Sequence, residues 1–290
     1  MSSLKPRRGF FVPSGKDDLT YALNPVVWAE EILGYHADPL QAEILRSRSK
    51  KIILNCSRQS GKSTTSAVLA LHESIYRSPS FVLIVAPTQD QSGELMLKFD
   101  EFRSGVELPS DYLSTDTKLA VRFSNNNRVV ARPGSEKSAR SFSAVTLLLE
   151  DEASRVSDDL FNTVRPMLAV SNGRHILMST PFGKRGHFFH IWDEQRDLWE
   201  SHEITAEMCP RITKEFLAEE KRTNFWYLQE YFCRFTETND QLFSFDLIQS
   251  MLESDDAPAF GAGRRANPMD PCGVLEDDEE PEPEHRRPEW

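Results

Sequence analysis

Residues 51–64 read Lys51-Ile52-Ile53-Leu54-Asn55-Cys56-Ser57-Arg58-Gln59-Ser60-Gly61-Lys62-Ser63-Thr64, and this stretch decides the fold. Ile52 to Leu54 is a short apolar run of the kind a buried strand presents. Ser63 to Tyr76, with Ala67, Leu69, Ala70, Leu71 and Ile75, predicts a helix. In a phosphate-binding loop between such elements, backbone N–H groups and the helix N-terminus cradle phosphates. A Lys reaches the terminal phosphates and a Ser or Thr hydroxyl holds magnesium. Those roles fall to Gly61, Lys62 and Ser63. Cys56 stands where the pattern G-x-x-x-x-G-K-[ST] has its first glycine, so the motif has to be judged by its context.

That context comes from a second apolar run, Val145 to Leu149, which leads into Asp151-Glu152. A strand ending in this way can deliver one carboxylate to magnesium and the next to an attacking water. The two segments read as the Walker A and Walker B halves of an ATP-hydrolysing site. Taken alone, the second is also compatible with a strand that ends in solvated acids. Glu150 interrupts the apolar pattern and receives no role from the sequence.

With these motifs in place, the chain resembles the ATPase domain of tailed-phage terminase large subunits over roughly residues 20–250. Cys56 to Ser63 looks like that family's loop variant, in which an Arg, here Arg58, lies inside the loop; the loop residues Cys56, Ser57, Arg58, Gln59, Ser60, Gly61, Lys62, Ser63 and Thr64 are then expected to bind ATP. Asp151-Glu152-Ala153-Ser154 matches the acidic motif. Ser179-Thr180-Pro181, continuing to Gly186 after the strand-like run Ile176 to Met178, resembles the coupling motif. Pro39-Leu40-Gln41 resembles the segment that contacts adenine. Cys209-Pro210-Arg211-Ile212 and the run Gln229 to Phe235 look like landmarks of a lid.

The resemblance gives two arginines distinct expected roles. Arg58 would reach the phosphates of its own subunit's nucleotide, where a planar guanidinium can stabilise developing charge; a loop salt bridge is the plainer reading. Arg140, eleven residues before Asp151, resembles an arginine supplied to a neighbouring subunit's site. Its plainer reading is a solvated arginine on a Ser-rich loop.

The chain of 290 residues suits one large or two small domains. It has no run of 18 apolar residues and no signal-peptide core at its start, which predicts a soluble intracellular protein without membrane partners; the resemblance implies a place in the host cytoplasm, at the procapsid portal. Cys56, Cys209, Cys233 and Cys272 form no C-x-x-C pair and argue against a disulfide scaffold or a zinc knuckle. His187 and His190 have a metal-compatible spacing on a predicted helix but lack an obvious third ligand, so packing or surface roles are expected. The net charge of −11 is concentrated late: residues 253–290 hold twelve acids and four Arg, leaving 33 acids against 30 bases in residues 1–252. A local basic face on the body remains compatible with that balance.

Alternating strand-like and helical segments predict an α/β fold with a mainly parallel sheet between helices, and with the ligand at the carboxyl ends of the strands. The expected organisation is an extended arm over 1–20, a P-loop ATPase core over 21–184, a small helical lid over 185–252, and an acidic disordered tail over 253–290. Helices are expected over Pro25 to Leu33, Leu40 to Arg48 and Gln89 to Arg103. Phe81 to Ala86 is a strand, and Leu119 to Phe123 with Arg128 to Ala131 forms a hairpin. Ser157 opens a helix toward Leu168.

Full-length members of the resembled family continue into a metal-dependent nuclease domain, for which residues 276–284 offer a charge run rather than strand-borne ligands, so nuclease activity is not expected of this chain. The resemblance implies Mg2+ and ATP as cofactors. It also implies double-stranded DNA, a portal protein and a terminase small subunit as partners, and a homo-oligomeric ring docked on a procapsid. The competing readings are a non-catalytic prophage remnant and a helicase-like ATPase.

Overall fold

In the computed structural model of the chain, the structure describes residues 16–106, 108, 112–133 and 142–237. Arg140, the first fifteen residues of the expected arm and the expected acidic tail lie outside the described residues.

The elements in chain order begin with α1 (Lys16–Leu23), α2 (Pro25–Leu33) and α3 (Pro39–Arg46). Next come β1 (Lys51–Cys56), α4 (Lys62–Tyr76), β2 (Phe81–Ala86) and α5 (Gln89–Ser104). They are followed by β3 (Leu113–Thr117), β4 (Ala120–Phe123), β5 (Arg128–Pro133), β6 (Leu147–Asp151), α6 (Asp158–Val164) and β7 (Arg174–Ser179). The last are α7 (Gly186–Glu194), β8 (Glu200–Ile204), α8 (Lys214–Thr223) and α9 (Tyr227–Phe232). The strands form one eight-stranded sheet in the order β3-β4-β5-β2-β6-β7-β1-β8. All neighbours from β5 to β8 pair in parallel; β3 and β4 close one edge as antiparallel strands.

The central strands read as unbroken apolar runs because both faces are covered. Alternation along each strand nevertheless sorts the side chains. Ile52, Leu54, Val82, Ile84, Leu147, Leu149, Ile176 and Met178 share a core with α2 to α5. Leu83, Val85 and Leu148 face Leu160 and Val164 of α6, while Ile53 and Leu177 face Phe188 and Ile191 of α7.

Local signals fix the helix ends. The Asn24 side chain accepts from Val27 N, Pro25 occupies the first turn of α2, and Gly34 ends it at φ 65°. Asp38 and Gln41 form a reciprocal capping box at the start of α3. Ser157 caps α6, and Pro166 converts the expected continuation to Leu168 into a 3₁₀ turn, since proline cannot supply the N–H that the α-helix needs.

Two expectations are corrected. The last residues of the expected arm, Lys16 to Thr20, belong to helix α1, which is held to α4 by a hydrogen bond of 2.8 Å from His72 Nε2 to the Tyr21 carbonyl. Burial lowers the His72 pKa to about 4, which keeps that ring neutral. The sheet also does not end at residue 184: β8 pairs in parallel with β1, Ile52 opposite Glu200 through Cys56 opposite Ile204. Only Ile204 of this edge strand is buried, so Glu-Ser-His-Glu-Ile carries no apolar run. β3 escaped the sequence reading for the same reason. No helix among the described residues is long and apolar enough to cross a membrane.

The hairpin turn has a buried function. Asn127 is fully buried; its Nδ2 donates to the carbonyls of Ser74 and Arg77 at 2.9 and 2.7 Å, and its Oδ1 accepts from Ser80 N at 2.8 Å. It thereby ties the end of α4 to the start of β2. Asn127→Ala leaves these backbone groups without their partner and is expected to reduce stability by about 2–4 kcal/mol in urea denaturation; a loss below about 0.5 kcal/mol would contradict this.

Candidate active site

The loop from β1 to α4 closes around backbone that few residues can adopt. Gln59 and Gly61 have φ of 59° and 87°. A Cβ at Gly61 would fall 2.5 Å from Gln41 Nε2 and 3.1 Å from Arg211 Nη2, side-chain ends that would have to shift, and the φ of 87° is what favours glycine there. Arg211 Nη2 and Gln41 Nε2 both donate to the Ser60 carbonyl, at 2.9 and 3.4 Å, and brace the loop from behind. Ser57 N donates to the Ile204 carbonyl at 2.8 Å, which makes β8 part of the same support.

Lys62 and Ser63 open α4 and face the carboxyl end of β6. Lys62 Nζ lies 2.8 Å from Glu152 Oε1, and Ser63 Oγ lies 3.3 Å from Asp151 Oδ2. Asp151 Oδ1 accepts from Glu152 N, and Glu152 itself sits at φ 52°, which turns its carboxylate back over the sheet. Burial alone would lower the Lys62 pKa; Glu152 and Asp151 outweigh it, and the ammonium is held above its ordinary range. Burial pushes the Asp151 pKa up, Lys62 offsets this in part, and Glu152 adds to the rise. Oxygen donors on a buried, incompletely compensated carboxylate and on a hydroxyl fit a hard divalent cation such as magnesium, which takes few protein ligands alongside phosphate oxygens. No cluster of three or more metal-ligating side chains occurs among the described residues.

The segment after β7 meets the same point. Ser179 Oγ and Ser154 Oγ are 2.7 Å apart, Ser154 Oγ donates to the Thr180 carbonyl at 2.8 Å, and Ser179 Oγ reaches Glu152 Oε2 at 3.5 Å. Thr180 and Pro181 line a cavity of about 440 Å³ together with Arg58, Gln59, Lys62 and Glu152.

Other expected site residues occupy the periphery. Arg58 Nη2 pairs with Glu230 Oε1 at 2.8 Å, and Arg58 N donates to the Glu230 carbonyl, so α9 holds the guanidinium at the cavity wall. Gln41 is buried and spends both ends of its amide, on Ser60 and on Asp38 N, behind the loop. Cys56 is fully buried, and burial pushes its thiol up to about 12, as expected of a packing residue in place of the usual glycine. Thr64 follows Ser63 in the first turn of α4.

Gln91, Arg155, Gln229 and Glu230 also line the cavity. Arg155 lies with its guanidinium 3.8 Å from the centre of the Phe182 ring. Gln91 comes from the first turn of α5, and nothing in its sequence context marks it; Arg155 could have been found only by its position just after the acidic motif.

A family model described as "Terminase large subunit, T4likevirus-type, N-terminal" matches residues 53–250. The terminase large subunit of Thermus phage G20c is 28% identical over 172 residues, covering 53% of this chain and 35% of that relative. The chain therefore spans about a third of that relative's length. Among solved structures, the large terminase ATPase domain of Thermus phage P74-26 superposes with a TM-score of 0.61 at 21% identity, covering 74% of this chain and all of that one. The HK97 bacteriophage large terminase gives 0.56 at 15% identity over 68% of this chain and 46% of that one. At these identities the superpositions show the fold, a P-loop NTPase.

The raised pKa of Asp151 has a consequence for stability. A folded value above the unfolded one means that the fold favours the protonated carboxyl. The stabilising contribution is complete below the unfolded carboxylate range and is lost as pH rises through the folded value. At neutral pH the charged side chain is thus a liability to the fold. Asp151→Asn is expected to raise the urea midpoint at neutral pH, and a lowered midpoint would contradict this reading.

Proposed function

Since this chain belongs to the terminase large subunit N-terminal family of the T4-like-virus type, we propose that it is a magnesium-dependent ATPase that drives double-stranded DNA into a procapsid. The observation that carries this reading is the convergence of Lys62 with Glu152 and of Ser63 with Asp151 at the carboxyl ends of β1 and β6.

Glu152 pairs with Lys62 at 2.8 Å. A triphosphate in the cavity offers Lys62 a better partner, so the ammonium exchanges the carboxylate for phosphate oxygens, and Glu152 is released to orient a water and take its proton. Ser63 and Asp151 would hold Mg2+, which would supply neutralisation of phosphate charge. The backbone of residues 57–61 and the N-terminus of α4 receive the phosphates. Arg58 exchanges Glu230 for phosphate and stabilises the charge that develops on the transferring group. Arg140 acts on a neighbouring subunit's nucleotide. Ser179, hydrogen-bonded to Glu152 and Ser154, Thr180, whose carbonyl accepts from Ser154, and Pro181 on the cavity wall pass the loss of the terminal phosphate to α8 and α9, which act as the lid. Such work needs a ring of copies at a portal protein in the host cytoplasm, with the small subunit choosing the DNA; the nuclease step is not assigned to the residues described.

Steady-state hydrolysis of Mg-ATP by the purified chain, with and without double-stranded DNA, tests this. Glu152→Gln is expected to lower kcat by about a hundredfold or more while nucleotide binding persists, and Lys62→Ala to lose binding. Wild-type turnover in Glu152→Gln would contradict the reading.

The ion pair at the cavity wall gives a second expectation. Arg58→Ala is expected to lower kcat by about a hundredfold, whereas Glu230→Gln, which releases the guanidinium, should leave kcat at or above the wild-type value. Equal losses in both variants would show that the pair acts only as a brace.

A further inference from the structure

Glu150, one residue before the acidic pair, lies on β6 with its side chain entirely buried, on the sheet face covered by α6 and α7. Its Oε1 is 2.6 Å from His187 Nε2 and its Oε2 is 3.2 Å from His175 Nε2. His187 continues the chain: its Nδ1 is 3.2 Å from Asp158 Oδ1, and its backbone N donates to the same oxygen at 2.7 Å. The Phe161 ring lies against the His187 ring with centroids 4.2 Å apart and planes 12° apart. Carboxylate oxygens on both sides of the imidazole require a proton on each ring nitrogen, because a bare nitrogen would set lone pair against lone pair. Burial pulls the His187 pKa down, but Glu150 and Asp158 outweigh it and hold it above the ordinary range.

The connections of this chain of groups matter. Glu150 leads directly into Asp151-Glu152. His187 is the second residue of α7, the helix that begins where the Ser179–Gly186 segment ends. Arg185 offers α7 no side-chain cap; Asp158, from the first turn of α6, supplies it instead. His175 lies on β7, which delivers Ser179. Glu150 and the two histidines are buried, whereas Asp158 is 59% exposed at the outer end; a buried ionic group of this kind is often no more stabilising than apolar side chains of similar volume, so stability alone does not account for it.

We infer that Glu150, His187 and Asp158 form a rigid strut that sets the position of the Asp151-Glu152 turn relative to the Ser179–Gly186 segment, and that Glu150 and His187 are positioning residues for hydrolysis. The inference rests on the ATPase reading. His187 faces Glu150 from β6, His175 from β7 and Asp158 from α6, with Arg165 on the Phe161 ring. Arg155 and Arg196, from the 3₁₀ turns packed on α7, lie over Phe182 and Trp192, and His190 on α7 itself pairs with Glu194. His187 and His190, whose spacing on α7 is metal-compatible, hydrogen-bond different carboxylates, Glu150 and Glu194.

The test replaces Glu150, His175 and His187 together with Leu. The triple variant is expected to fold without loss of thermal stability and to keep its ATP KM within about twofold of wild type, since the strut touches no phosphate-binding group. Its kcat should fall by about ten- to a hundredfold, the penalty of a small misplacement of reacting groups. A folded triple variant with wild-type kcat would overturn the proposal. Nitrogen NMR of the wild-type His187 ring gives a readout that needs neither the variant nor catalysis. Both ring nitrogens should carry protons at neutral pH, and a neutral ring would overturn the strut even if the variant does not fold. A wild-type protein with the doubly protonated ring but no hydrolysis would refute the ATPase reading and leave the strut standing.

Discussion

The contact between Lys62 and Glu152 is the constraint on which the rest of the structure depends. It joins the first turn of α4, the helix that follows β1, to the end of β6, and β1 and β6 are not neighbours in the sheet, since β7 lies between them. Holding the two groups 2.8 Å apart requires that three parallel strands end at one level and that the turns beyond them fold back over the same edge. The apolar alternation of β1, β6 and β7, covered by α2 to α5 on one face and by α6 and α7 on the other, supplies that frame. The unusual backbone at Gly61 and Glu152 completes it at the two loops.

The frame holds its charges in a state prepared for exchange. Lys62 is satisfied by Glu152, Arg58 by Glu230, and the carboxylate of Asp151 is buried with incomplete compensation. A polyanion with a divalent cation would relieve each of these at once, by taking the two cations and by giving Asp151 a partner.

Much of this was legible in the sequence, and the failures have physical causes. The P-loop and the acidic pair were readable because their chemistry tolerates few residue types, and the strands that carry them are unbroken apolar runs. β8 and β3 were missed because an edge strand needs little apolar surface and so leaves no periodic signal. Gln41 was legible as a residue near the site but not as a brace behind the loop, since its capping-box role and its reach to Ser60 arise only when α3 is folded against residues 57–61. The pairing of Arg58 with Glu230 joins positions far apart in the chain, which no local pattern encodes. Glu150 read as an oddity in an apolar strand; its partners come from β7 and from α7, and only tertiary structure brings them together.

Under the proposed function, Lys62 leaves Glu152 when the nucleotide arrives. A crystal structure of the protein with magnesium and a non-hydrolysable ATP analogue tests it most directly. The account predicts Lys62 Nζ on phosphate oxygens, Glu152 free of it and turned toward a water, and Ser63 and Asp151 at the metal. An analogue bound with the Lys62–Glu152 pair intact would contradict it.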